Sequence, residues 1–83
     1  MLPLSKLKIG QLGVVSSFTD EGVSTKLMEM GCLPGEVVKV INIAPLGDPI
    51  AISVAGYELS LRLEEAASVM VIENPPLEYI HLN

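Results

Sequence analysis

The sequence has 83 residues, enough for one domain with a thin core and too few for two, which leaves no room for a deep substrate cleft. Ten acidic residues against five basic ones give a net charge of −5, and the five basic residues (Lys6, Lys8, Lys26, Lys39 and Arg62) are scattered, so a nucleic-acid partner is excluded. Hydrophobic residues make up 49% of the chain, with no Trp and only Phe18 as Phe; the interior must be Val, Ile, Leu and Met, which favours β-structure.

The opening, Met1 to Gly10, reads as an extended lead-in whose Leu4, Leu7 and Ile9 cover one end of a core. Pro3, Lys6 and Lys8 interrupt its apolar residues, unlike a signal peptide, and no stretch reaches the length of a membrane span. Cys32 is the only cysteine, so no internal disulfide forms and a reducing compartment is expected. The expectation is a cytoplasmic protein with no direct membrane insertion.

Leu12 to Phe18 alternates as a first strand. The period then changes. Thr19 is suited to cap a helix over about 20–30, with Asp20 and Glu21 in the first turn, where the helix dipole favours negative charge. Val23, Leu27 and Met30 fall on one apolar stripe, and Gly31 followed by Pro34 ends the helix. Pro34-Gly35 has the chemistry of a type II turn. Residues 36–44 make a strand with apolar side chains on both faces, Val38 and Val40 on one and Val37, Ile41 and Ile43 on the other. Ala44-Pro-Leu-Gly-Asp-Pro49 is a turn. Residues 50–55 and 57–62 alternate as two strands about a tight reversal at Ala55-Gly56, and 64–67 is one helical turn. Residues 68–73 form the last strand, which Asn74-Pro-Pro76 ends.

Five short strands with this much aliphatic side chain cannot remain an open layer; closing them into a barrel removes exposed edges and creates an interior. The fold expected is mainly β, a small five-stranded barrel with one inserted helix capping an open end. The domain is expected to cover 1–74, with 75–83 as a C-terminal tail.

Leu27-Met-Glu-Met-Gly31, Pro34-Gly35, Ala44-Pro-Leu-Gly-Asp-Pro49, Gly56-Tyr-Glu-Leu-Ser-Leu-Arg62 and Glu65-Ala66 occur in an order and spacing that resemble the ferrous iron transport A (FeoA) family, over about residues 4–72. The resemblance implies an SH3-like barrel and a non-catalytic cytoplasmic accessory to a ferrous iron membrane transporter that carries a GTPase domain. The family usually has an apolar residue after Met-Gly and a polar one before Pro-Gly; here these are Cys32 and Leu33. A buried thiol replaces the first, which leaves Leu33 for the surface.

Candidate chemistry is sparse. Cys32 and His81 pose as nucleophile and base or as metal ligands, but their plainer roles are a packing cysteine and a tail histidine, and one imidazole is a poor start for an iron site. Asp20-Glu21 and Glu64-Glu65 are sequence neighbours whose side chains diverge, and no phosphate-binding glycine loop is present. No catalytic residue, metal or cofactor is therefore expected. A partner surface remains, assigned to Leu27, Met28, Met30 and Leu33 at the helix end and to Leu46 and Asp48 in the 45–49 loop. Leu46 is apolar at the tip of a turn that has no structural need for it. The alternative is a self-associating or peptide-binding SH3-like module. In it the 37–43 face packs on a second copy, or Pro75-Pro76 lies in a neighbour's groove.

Overall fold

The alternating segments become one antiparallel sheet. The computed structural model describes residues 1–75, with strands β1 (Leu2–Pro3), β2 (Leu12–Phe18), β3 (Val37–Ile43), β4 (Ile50–Val54), β5 (Tyr57–Leu61) and β6 (Val69–Glu73). Their spatial order is β1-β6-β2-β3-β4-β5. Helix α1 (Glu21–Glu29) fills the β2–β3 connection and α2 (Leu63–Ala67) the β5–β6 connection, while a 3-10 turn at Leu4–Lys6 follows β1.

Inward side chains from β2, β3, β4, β5 and β6 (Val15, Val38, Val40, Ile52, Leu61, Val71) meet in a single core with Leu4, Leu7, Leu27, Cys32 and Ala66. Residues from strands so far apart in the sheet order touch one core only because the sheet curls into a barrel. The edge strands β1 and β5 share no ladder among the described residues; beside β1 the 3-10 turn packs against α2. Each fully buried Val or Leu contributes about 1.5–3 kcal/mol through removal from water. The curled, mainly β architecture agrees with the sequence reading.

Several details differ. The sheet has six strands, because Leu2 and Pro3 of the lead-in pair with Val71 and Met70. The N-cap of α1 is Asp20, not Thr19: Asp20 Oδ1 accepts the Val23 N–H at 3.0 Å. Thr19 is engaged elsewhere, its N–H donating to the Ser68 carbonyl at 2.8 Å. The apolar stripe is shorter than expected, since α1 stops at Glu29 and Met30 turns outward, exposed.

The two-faced pattern of β3 has a local cause. Val40 pairs with Ile52 but Asn42 pairs with Ala51, so Ile41 is an extra residue, a bulge. The bulge shifts the alternation by one, and Ile43 lies opposite buried Ile50 and packs against the core. Ile43 is thus partly buried on the core side of the strand. A second bulge at Ser16 in β2 likewise returns Phe18 to the core side, opposite buried Val69.

The hairpin at Ala55-Gly56 is tight because both residues have positive φ, 51° and 82°, which matches the twist of the flanking strands. After β6, Asn74 also has positive φ (48°) and donates its N–H to the Leu12 carbonyl at 3.2 Å. Pro75 is buried. Pro76, His81 and the rest of the expected tail lie outside the described residues.

Candidate partner-binding surface

The end of α1 is shaped by one carbonyl. The Leu27 C=O accepts N–H groups from Met30 at 3.0 Å and from Cys32 at 2.9 Å, while Gly31, at φ 93°, makes the left-handed turn between them. The turn drops Cys32 into the core beside Leu27 and leaves Met28, Met30 and Leu33 exposed. Burial, aided by the nearby charge of Glu36, pushes the Cys32 thiol up to about 11, so it remains protonated and inert at neutral pH.

Against this helix end lies the β4–β5 hairpin: a Cβ placed on Gly31 would sit 3.8 Å from that of Ala55. Glu29, Met30 and Gly31 thus form one wall of a groove, and Tyr57, Glu58 and Leu59 form the other. Tyr57 is 65% exposed. The lining is apolar and aromatic, with a carboxylate on each wall, a composition suited to an apolar side chain carried next to a cation.

The 44–49 loop is built separately. Gly47, at φ 84°, donates its N–H to the Ala44 carbonyl at 2.7 Å, and the turn lifts Leu46 to 95% exposure. Asp48 Oδ1 accepts the Leu63 N–H at 3.1 Å, the first N–H of α2, with an Arg62 guanidinium nitrogen 3.9 Å away. Asp48, Arg62, Leu63, Glu64 and Ala67 line a second, shallow depression.

Glu65 joins the two helices. Its carboxylate accepts the Arg62 N–H at 2.8 Å and pairs with Lys26 of α1 at 2.5 Å. The Lys26 hydrogen bond, then the Arg62 N–H, hold this carboxyl below the usual glutamate range.

Of the residues assigned to a partner surface, Leu27 is wholly buried and belongs to the core, because the turn after Glu29 folds Cys32 over it. Met28, Met30 and Leu33 are all exposed at the helix end, and of the three Met30 lines the groove. Asp48 serves the other depression by capping α2, and Leu46 lines neither. Tyr57, Glu58 and Glu29 were not foreseen; the available signal was an aromatic directly after a hairpin turn. The sequence reading named Glu65 only as a neighbour of Glu64 and as part of the family motif, although its place three residues after Arg62 is that of a capping glutamate. Among the described residues, no three His, Cys, Asp or Glu side chains gather as a metal site, and no helix is long and apolar enough to cross a membrane.

Residues 2–73 match the FeoA domain family. The chain belongs to the FeoA family. It is 38% identical over 69 residues to an Fe(2+) transport protein A/Fe(2+) transporter FeoB fusion protein of Porphyromonas gingivalis, covering 82% of this chain and 8% of that protein. This chain thus corresponds to a small part of the fusion. The solution structure of FeoA from Chlorobium tepidum superposes with a TM-score of 0.82 at 36% identity, covering 89% of this chain and 71% of that one. The zinc-complexed crystal structure of Stenotrophomonas maltophilia FeoA, described as a prokaryotic SH3 domain protein, superposes with a TM-score of 0.74 at 29% identity, covering 86% and 89%. The family is one of ferrous iron transport.

Proposed function

We propose that the chain is a non-catalytic cytoplasmic accessory module that docks on the cytoplasmic part of a GTPase-linked ferrous iron transporter and modulates it. The observation that carries this reading is the groove between α1 and the β4–β5 hairpin. Its Met30, Tyr57 and Leu59 lining and its Glu29 and Glu58 walls suit a partner segment with an apolar anchor beside a Lys or Arg. The fusion relative, in which an FeoA-like part is joined covalently to FeoB, supports the choice of partner. Met28 and Leu33 extend the contact surface, and Leu46 on the 44–49 loop supplies a second touching point.

Titration of the folded chain against the transporter's soluble cytoplasmic portion tests the proposal. Tyr57→Ala and Met30→Asp are each expected to weaken binding about 10–30-fold, the effect of losing an interface anchor of roughly 1.4–2 kcal/mol. Circular dichroism should remain that of the parent. If the parent chain does not bind, or if both variants bind as it does, the groove is not the docking site.

A further inference from the structure

The end strand of the sheet, β5, is paired on one side only, with β4. Which of its backbone groups are left over follows from the hairpin. Ala55 and Gly56, both at positive φ, form a two-residue turn, so the flanking Val54 and Tyr57 exchange hydrogen bonds. Alternation then turns the N–H and C=O of Leu59 and Leu61 toward β4 as well, and those of Glu58, Ser60 and Arg62 away from it. Arg62 is served by its own chain: its N–H donates to Glu65 Oε1 at 2.8 Å, and its C=O accepts the Ala66 N–H at 3.0 Å. Glu58 and Ser60 are not. Their N–H and C=O groups have no hydrogen-bond partner among the described residues, and both residues are exposed.

An open edge of this kind is a template for another extended chain. It is also the stretch of β5 that walls the groove opposite Glu29, Met30 and Gly31. We infer that the partner segment docking in the groove is extended and adds to β5 as a further strand, a mode of binding that rests on the docking proposed above. The two-residue period of a strand then fixes the pattern of that segment. The residue opposite Glu58 shares the face of its carboxylate and is Lys or Arg. Its two neighbours point to the other face, that of Tyr57 and Leu59, and are apolar. Because α2 already engages Arg62, the new pairing ends at Ser60. A second copy of this chain is the poorer occupant: it carries a net charge of −5 and brings its own Glu29 and Glu58 to the edge.

Amide hydrogen exchange, free and in complex with the transporter's soluble cytoplasmic portion, tests the inference. The Glu58 and Ser60 amides should exchange fast in the free chain and slow by about 10-fold or more in the complex. Those of Tyr57 and Leu59, already bonded to β4, should change little. Ser60→Pro removes an outward donor and leaves the β4 ladder intact, since proline is tolerated on the open side of an edge strand. It should weaken binding about 10-fold with circular dichroism unchanged. Should that variant fail to fold, exchange in the parent complex decides. A complex that Tyr57→Ala weakens, but in which both amides exchange as in the free chain, would overturn the added strand and leave the groove as the docking site. Absence of any complex would remove both. Protection of Glu58 and Ser60 in the free chain would overturn the inference too, and protection that rises with concentration would make a second copy the occupant.

Discussion

Replacing Glu65 by Gln isolates the charge that joins the two helices. The amide keeps an oxygen for the Arg62 N–H but gives up the ion pair with Lys26, while the shape of the side chain hardly changes. The Glu65 side chain is 11% exposed and that of Lys26 is 58% exposed. The pair therefore stands between a surface ion pair, worth about 0–1 kcal/mol, and a buried one, whose breakage costs about 3–5 kcal/mol. Water around Lys26 screens it toward the lower end, so Glu65→Gln should cost about 1 kcal/mol. In a domain of this size that is a fall of about 6 °C in Tm. Glu65→Ala also leaves the Arg62 N–H without its partner and should cost about 2–3 kcal/mol. The pH dependence separates charge from packing. The folded carboxyl is held below its ordinary range, so its stabilisation is fully present above that range and is lost as pH falls through the folded value. Thermal or urea denaturation followed by circular dichroism should show the parent and Glu65→Gln separated near neutral pH and converging as the pH falls through the range of the folded carboxyl. A gap of equal size at both ends of the titration would refute the electrostatic account, as would a Gln variant as stable as the parent.

Cys32 should resist alkylation in the folded chain at neutral pH and react freely in denaturant, which a timed thiol assay with and without urea measures. Cys32→Ser should cost about 1–3 kcal/mol in urea melts by burying a hydroxyl beside Leu27. Gly13→Val forces a branched side chain toward Val71 and Leu7 and should lose about 1–3 kcal/mol in the same melts, part of it recovered on combination with Val71→Ala. Leu46→Ser, at a fully presented loop tip, should leave stability within about 0.5 kcal/mol, whereas Asp48→Ala should cost about 0.5–1 kcal/mol by freeing the first N–H of α2.

Where local chemistry decided the outcome, the sequence was sufficient. The tight reversal at Ala55-Gly56, the stop at Gly31 and the alternation of Ile50, Ile52 and Val54 all stand in the structure as periodicity and turn chemistry require. The misjudged features depended on partners distant in sequence. Thr19 and Asp20 are equally good caps on paper, and only the Ser68 carbonyl, delivered by the chain between β6 and α2, decides between them. The bulge at Ile41 has no signature of its own, since a residue that is extra relative to β4 is defined by β4. Met30 obeys the helical period, yet the helix ends before reaching it. The groove was half legible: of its lining only Met30 came from the helix pattern, and the facing wall, Tyr57 to Leu59, comes from a hairpin far along the chain that only the folded barrel brings near.

The pairing of Leu2 with Val71 brings the way into the barrel and the way out of it to neighbouring strands. A body whose two exits share one corner hangs from a host polypeptide by a single junction, and its far side stays clear of whatever is attached. Such a unit can be grafted onto a larger machine, or traded as a separate subunit, with no change to its interior.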